Sequence, residues 1–356
     1  MNTQHSTTAF ERQLRDRVSA YFEVNHCSKK ANTTAWIKTW SLLAVWVLTL
    51  GLLYTIKTSF AGYLGLYLLH GIAALLVVFN IGHDAVHQTL SHKSWINTAW
   101  GYTFNLIGGN RYAWHLKHNL AHHSATNIHQ YDLDIETTPL FRVSPHSRYR
   151  RHYRYQHLYI LPLYCLMSLL LVFVMDFKAM MLMRYNRSLR TRVIKWIGLI
   201  AGKLLYIGYI IVLPVYTLPL TAGEVVTCFL LMHALVGLLI SLVLLPSHFI
   251  APVAYYEPSE TGGLPSTWTI HQLLTTVDIA PRSRLLNATV GGLNANVIHH
   301  IFPAIHHCHF LPLVKILAKT AADHHIPYYQ YSLWKGMRQH MAYLKKMGQP
   351  ENIHHP

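Results

Sequence analysis

Long apolar stretches alternate with basic and histidine-rich segments along this chain of 356 residues. A helix that crosses a bilayer needs roughly 20 residues with few or no charges. Five stretches come close to that length, at residues 39–56, 58–79, 158–175, 204–223 and 225–245. Because Lys57 alone separates the first two and Glu224 alone separates the last two, the pattern predicts two hairpins with short outer turns.

The third stretch has basic residues on both sides, which bears on its orientation. They are Arg148, Arg150, Arg151 and Arg154 before it, and Arg184, Arg187, Arg190, Arg192 and Lys195 after it. Basic flanks favour the cytosolic side of a membrane. We therefore predict four spans, with residues 158–175, which include Pro162, as an embedded or re-entrant segment. The alternative is that all five stretches cross, which would put the second and third histidine clusters on opposite faces.

The segments outside the spans complete the predicted organisation. Residues 1–38 are predicted to be a cytosolic N-terminal leader, because they are mostly polar and contain no cleavable apolar core. Residues 39–329 are predicted to form the membrane domain and residues 330–356 a cytosolic C-terminal tail. The predicted fold class is an all-α polytopic membrane protein.

Composition supports this class over others. Hydrophobic residues make up 52% of the chain and charged residues 12%, a charged fraction about half that of an average soluble domain. The formal net charge of +16 comes from basic residues beside apolar segments, where a cytoplasmic membrane surface attracts them, so we expect no nucleic-acid partner. The four cysteines form no CxxC pair, which indicates a reducing compartment without a thiolate metal site.

The 27 histidines are concentrated in clusters, as is typical of metal sites. The first cluster, NIGHDAVH, places His83 and His87 four residues apart and therefore on one face of a helix. The second, HLKHNLAHH, puts His118 and His122 on one face and turns His123 about 100° away. An adjacent pair of this kind can serve two different ions.

The third cluster, NANVIHHIFP, repeats the adjacent pair at His299 and His300, with Asn296 one turn earlier. His248, just past the last span, and His271 are further candidates, each with the alternative of a hydrogen-bonded structural histidine. The same alternative applies to His306, His307 and His309.

Ligand type alone leaves the metal open, because imidazole binds iron, copper, nickel and zinc. A structural zinc site uses four ligands and a catalytic one about three plus water, whereas the three clusters hold at least seven histidines. A dinuclear redox site accommodates them, and four spans would place every cluster on one face. Soluble di-iron proteins use Glu-x-x-His on bundle helices, a spacing found here only at Glu23 and Glu351.

In this order and spacing, the three clusters resemble the histidine boxes of the membrane fatty acid desaturase family. The run KHNLAHHSATN followed by DLDIE is similar to the linoleoyl-CoA desaturase-like, or front-end, branch, as are SPH, HYRYQH, HQLLTT and GGLN at residues 144–146, 152–157, 271–276 and 291–294. The resemblance covers about residues 80–329.

The resemblance implies a site with two iron ions that uses O2, held in a cytosolic helical cap. Asn296 stands where relatives carry Gln or His, and Ile298 where many carry Glu. His271 or His115 could provide a further ligand. The candidate metal ligands are His83, His87, His118, His122, His123, His248, Asn296, His299 and His300.

The implied reaction is desaturation of a fatty acyl chain carried on CoA or on a lipid, in the bacterial inner membrane or the endoplasmic reticulum. The basic residues Arg111, Lys117, Arg148 and Arg151 are candidates for a phosphate-bearing head group, or simply set topology. Because no His-Pro-Gly-Gly haem motif occurs, electrons are expected from a separate carrier of the ferredoxin or cytochrome b5 type.

Carboxylates near the boxes are candidate acceptors for the second ring nitrogen of the ligands, with helix capping or arginine pairing as the alternative: Asp84, Asp132, Asp134 and Glu136. Two competing functions remain. A di-iron hydroxylase of an alkyl chain or carotenoid would use the same boxes. A metal transporter would need ionisable ligands within the membrane, where only His70 and His233 lie.

Overall fold

Helices account for most of the chain in the computed structural model, which describes residues 2–135, 139–182, 188–259, 263–264 and 266–350. Glu136, Arg184, Arg187 and residues 351–356 lie outside the described residues. The α-helices are α1 (Asn2–Val24), α2 (Thr33–Thr55), α3 (Phe60–Val77), α4 (His83–Val86), α5 (Ser94–Gly101), α6 (Thr103–Leu106), α7 (Arg111–Trp114), α8 (Gln156–Cys165), α9 (Met167–Leu170), α10 (Asp176–Leu182), α11 (Leu189–Ile207), α12 (Leu213–Thr217), α13 (Ala222–Leu244), α14 (Trp268–Thr275), α15 (Arg284–Thr289), α16 (Asn296–Ile301), α17 (Phe310–Asp323) and α18 (Leu333–Met347).

Shorter elements join several of these helices. Wider π-helical turns lie at Val78–Gly82, His115–His122, Leu171–Met175 and Gly208–Val212. Tighter 3-10 turns lie at Arg151–Tyr155, Leu245–Ser247 and His307–His309. The strands β1 (Asp278–Ile279) and β2 (Gln330–Tyr331) pair in parallel, with Asp278 opposite Gln330.

The chain forms two compact units. The membrane unit comprises Thr33–His118 and Leu161–Ser241, and the polar unit comprises Met1–Asn32, Asn119–Ile160 and Leu242–Pro356. The predicted all-α class is confirmed.

Four helical stretches in the described chain are long and apolar enough to cross a membrane: Thr33–Thr55, Phe60–Val86, Leu189–Thr217 and Ala222–Ser247. They agree with the four predicted spans in number and order. Where the embedded segment was predicted, the structure has two helices, Arg151–Cys165 and Met167–Leu182, bent by 64°. Pro162 lies inside the first of them, and the bend follows at the break between Cys165 and Met167. That this segment is re-entrant stays a prediction.

Two predicted boundaries are wrong. The third span begins at Leu189 rather than at residue 204, because Arg and Lys are good helix formers and extend the helix beyond its apolar part. The second outer turn is not at Glu224, which lies in the first turn of α13. The carboxylate of Glu224 instead accepts the backbone N–H of Thr221 at 2.8 Å and so caps the helix.

The membrane unit has a core rich in tyrosine. Tyr63 and Tyr67 from α3 pack with Tyr206 and Phe229 from the later spans. Because an unpaired hydroxyl is costly in an apolar environment, these groups find partners, and the Tyr67 O–H donates to the carbonyl of Ile210 at 2.9 Å.

The polar unit uses α1 as part of its core. Phe10, Leu14, Val18 and Phe22 recur every four residues, which places them on one face of the helix, and all four are buried in one cluster with residues of α16 and α17. Helix α1, which lies within the predicted leader, is therefore a packed amphipathic element.

Candidate metal centre

The first histidine group lies in the membrane unit, where the second span ends. The π-helical turn Val78–Gly82 leads directly into α4, so that His83 and His87 follow the apolar helix without a break. Their ring centroids are 4.7 Å apart. Burial lowers the pKa of His87 well below its usual value, and the neighbouring His83 adds to this effect. The neutral imidazole, which is the form that binds metals, is therefore favoured.

His118 completes this group. It lies in the turn His115–His122. The spacing of the histidines predicts an α-helix here, but the turn is π-helical. The preceding helix α7 is capped by Asn110, whose side chain accepts the N–H groups of Tyr112 and Ala113 at 3.0 and 2.9 Å. The Nε2 atoms of His83 and His118 lie 3.2 Å apart. The three imidazoles thus present their nitrogens to one point.

The second group lies in the polar unit and consists of His122, His248 and His300, all buried. One ring nitrogen of each lies within 4.8 Å of the other two. His248 directly follows the 3-10 turn that ends the fourth span. Burial, reinforced by the neighbouring His122, lowers the pKa of His248 to about 3.

His123 and His299 border this second group. The ring of His123 stacks on that of His300 with centroids 4.3 Å apart and lies 4.7 Å from that of His299. The amide Nδ2 of Asn296 is 2.8 Å from Nε2 of His248. Asn296 therefore contacts the second histidine group through the ring of His248. Three of the nine candidate ligands lie in the membrane unit and six in the polar unit.

Asp132 holds the imidazole of His122. Its carboxylate oxygens lie 3.0 and 3.1 Å from Nδ1 of His122 and also accept the backbone N–H groups of Asn127 and Asp134, each at 2.9 Å. Asp134 lies 3.5 Å from the same ring nitrogen. Asp132 is placed as an acceptor for His122, as predicted, whereas the role of Asp134 as an acceptor stays a prediction. A ring that donates from Nδ1 carries its lone pair on Nε2, so the bond to Asp132 selects the metal-binding atom.

Gln272 orients the imidazole of His300 in the same way that Asp132 orients that of His122. The sequence analysis did not identify Gln272 as an acceptor. Its Oε1 lies 2.9 Å from Nδ1 of His300, and its Nε2 donates to the carbonyl of His123 at 3.1 Å. It is fully buried. The available signal was a polar pair, His271 and Gln272, followed directly by two leucines.

Three of the remaining histidine candidates have structural partners. His271 Nε2 donates to the carbonyl of Thr126 at 2.9 Å. His306 accepts the backbone N–H of Cys308 at 3.1 Å, and His309 lies 3.4 Å from the hydroxyl of Tyr21. For His271 the structural reading is the one that the geometry supports.

This donor set fits metal binding, because the imidazoles are buried, converge in groups of three and have fixed orientations. Residues 58–332 match the family model described as fatty acid desaturase. The chain belongs to the fatty acid desaturase family. The match includes all nine candidate ligands and residues of both units.

Three relatives illustrate the family. The chain is 31% identical to an sn-1 linoleoyl-lipid 6-desaturase of Arthrospira platensis, over 95% of this chain and 92% of that protein. It is 28% identical to an acyl-lipid (8-3)-desaturase of Physcomitrium patens, over 95% of this chain and 71% of that protein. It is also 28% identical to an sn-1 linoleoyl-lipid 6-desaturase of Synechocystis sp., over 95% of both. The protein is therefore a membrane-bound fatty acid desaturase, and the hydroxylase alternative is not favoured.

Proposed function

We propose that this desaturase uses O2 and two iron ions, one held by each histidine group, to introduce a double bond into the acyl chain of a membrane lipid. The observation that carries the proposal is the convergence of buried, oriented imidazoles in groups of three. The names of the relatives support a lipid-bound acyl chain over acyl-CoA, since each describes an enzyme acting on an acyl-lipid or linoleoyl-lipid.

Iron with O2 would supply the oxidising power to remove two hydrogens from unactivated methylenes, chemistry that no side chain provides. The chain's own residues would bind and orient. Asp132 and Gln272 keep the Nε2 lone pairs of His122 and His300 available. Burial lowers the pKa of His87 and of His248, which favours the neutral, metal-binding form of these two imidazoles. His123, His299 and Asn296 are proposed as the remaining ligands of the polar unit.

Four basic residues were candidates for binding the lipid head group, and their surroundings differ. Arg148 and Arg151 in the polar unit are exposed to solvent. Lys117 is buried with its ammonium 5.4 Å from the ring of Trp114, and Arg111 packs near the ring of Tyr102. We therefore propose Arg148 and Arg151 for an anionic head group. A separate ferredoxin or cytochrome b5 type carrier would deliver electrons on the cytosolic side.

Expression in a host with a simple fatty-acid profile tests the function. We expect a new double bond, located by mass spectrometry, with the unaltered chain and none with His122→Ala. The matched control is His325→Asn, because His325 is exposed and asparagine tolerates its positive φ of 56°. Undiminished product from His122→Ala would contradict the proposal, and an alcohol in place of an alkene would indicate a hydroxylase.

Metal replacement tests the cofactor. After a chelator strips the purified protein, Fe(II) should restore both thermal stability and desaturation, whereas Zn(II) should restore only stability. Both ions bind imidazole, but zinc has no redox chemistry. Full activity in the metal-free or zinc-loaded protein would rule out the iron centre.

A further inference from the structure

Two consecutive residues, Val277 and Asp278, join two of the segments that carry candidate ligands of the polar unit. The backbone N–H of Val277 donates to the carbonyl of Ser247, directly before His248, at 3.0 Å. The carboxylate Oδ1 of Asp278 accepts the backbone N–H of Val297, two residues before His299, at 2.8 Å. The spacing between these two segments is therefore tied to residues 277–278.

Asp278 supplies a cap that helix α16 lacks locally. The first N–H groups of a helix have no partner within it, and they are usually satisfied by a Ser, Thr, Asp or Asn side chain at the N-cap. The N-cap of α16 is Ala295, which has no side-chain acceptor. With only six residues, α16 would not be stable in isolation. A distant carboxylate therefore takes the place of the missing cap.

The side chain and the backbone of Asp278 are both fixed by hydrogen bonds. Its second oxygen accepts the hydroxyl of Tyr328, and the side chain is fully buried. The backbone of β1 is fixed as well, because Asp278 N–H donates to the carbonyl of Tyr329 at 3.1 Å and Ile279 N–H to that of Asn294 at 3.0 Å. The position of Asp278 is thus determined by its surroundings.

We propose that Asp278 and Tyr328 form a positioning pair that sets the place of helix α16, and with it the metal-binding geometry of His299 and His300. The proposal rests on the ligand roles given to these histidines under the proposed function. The bond from α16 to Asp278 is made by the backbone N–H of Val297, so the effect passes through the helix backbone. Partners that hydrogen-bond a ligand directly typically change metal affinity by about 10–100-fold, and we take this range as the upper bound for a pair that acts through the helix backbone.

The hydrogen bond, rather than the charge, is expected to matter. Burial raises the pKa of Asp278 to about 7, while the bonds from Tyr328 and Val297 oppose the shift. Asparagine retains an oxygen for the Val297 N–H and is neutral. Alanine leaves both donors without an acceptor.

The test uses the full-length protein in detergent and two readouts that do not require turnover. Hydrogen exchange at residues 296–301 is followed in the metal-free protein, and Co(II) binding is followed by its visible absorption. Asp278→Ala should accelerate exchange about tenfold and weaken Co(II) binding by up to about 100-fold. Asp278→Asn should lose clearly less than Asp278→Ala in both readouts and about as much as Tyr328→Phe, since it keeps the acceptor for the Val297 N–H but not the oxygen that accepts the Tyr328 hydroxyl.

Tyr343→Phe is the matched control for Tyr328→Phe. Tyr343 is a buried tyrosine of the same unit that donates to the carbonyl of Val143 at 2.6 Å, and its loss should leave Co(II) affinity unchanged. Tyr328→Phe should weaken it several-fold and keeps the test informative if Asp278→Ala does not fold.

Unchanged exchange and Co(II) affinity in Tyr328→Phe and Asp278→Ala would overturn the proposal, as would equal losses in Asp278→Asn and Asp278→Ala. The outcome is separate from that of the proposed function. If the variants show these differences but the unaltered protein makes no double bond, the proposed positioning pair would stand and only the proposed reaction would be wrong.

Discussion

The carboxylate of Asp132 shows how one residue can define the orientation of a candidate ligand. It is fully buried, and besides His122 it accepts two backbone N–H groups of its own loop. These bonds satisfy the buried carboxylate oxygens and fix their position. The imidazole of His122 is thereby held with Nε2 as its metal-binding atom.

Asp132→Asn should lower metal affinity by about 10–100-fold, because a neutral amide is a weaker acceptor for the ring N–H and makes the ligand less basic. Titration of the metal-free protein with Co(II) measures the change. Glu257→Gln is a suitable control, since Glu257 makes the same kind of contact, 2.8 Å from Nδ1 of His146, which is not a candidate ligand. Equal affinities for the two variants would show that Asp132 does not support the ligand.

Residue-level prediction succeeded where the sequence keeps partners close. Asp132 was a candidate because it lies ten residues after His122, within the same motif. Gln272 and Asp278 were not recognised, because their partners His300 and Val297 lie 28 and 19 residues away. Only the tertiary fold brings these residues together, and neither residue type is distinctive by itself.

At the scale of elements, helix α1 has two different faces. Its buried stripe packs in the core of the polar unit, and beside it Arg17 pairs with Asp323 of α17 at 2.7 Å. Both groups of that pair are partly exposed, so it contributes little stability. The apolar stripe is what holds the helix in place.

Leu14→Ala should therefore reduce the free energy of unfolding of the polar unit by about 2–5 kcal/mol, the usual range for a buried leucine. Arg15→Ala, on the exposed face of the same helix, should change it by less than about 0.5 kcal/mol. The midpoint of thermal unfolding in detergent compares the two. Similar midpoints would indicate that α1 is dispensable.

The boundaries of the spans were harder to predict than their number. Apolar windows identified four of them, because burial in a bilayer requires that composition. The third helix continues toward its N-terminus through Arg190, Arg192 and Lys195, where hydropathy gives no signal. The sequence signal for its beginning is the N-cap Ser188, whose side chain accepts the backbone N–H of Thr191 directly before the helix starts at Leu189.

At the scale of the whole molecule, the bent helix pair decides the topology. If Arg151–Cys165 and Met167–Leu182 enter and leave on one side, the two hairpin turns near Thr58 and Thr221 lie on the same face of the membrane. If the pair crosses, these turns lie on opposite faces.

We expect the same face. Thr58→Cys and Thr221→Cys, introduced singly into a chain whose four native cysteines are replaced by alanine, should both react with a membrane-impermeant maleimide added outside intact cells. A cysteine at Arg150 should react only after the membrane is opened. If only one of the two turns is labelled from outside, the bent helices Arg151–Cys165 and Met167–Leu182 together cross the membrane.

Contacts between α1 and α17 also have a consequence for synthesis on the ribosome. Arg17 and its hydrogen-bond partner Thr320 are 303 residues apart, and at about 5–20 residues per second that interval takes about 15–60 s. Until then the stripe of Phe10, Leu14, Val18 and Phe22 has no partner from α17, while all four spans are being inserted. A nascent chain stalled before α17 would expose this apolar surface to chaperones and proteases. Chains shortened by premature stop codons before α17 should therefore be degraded rapidly.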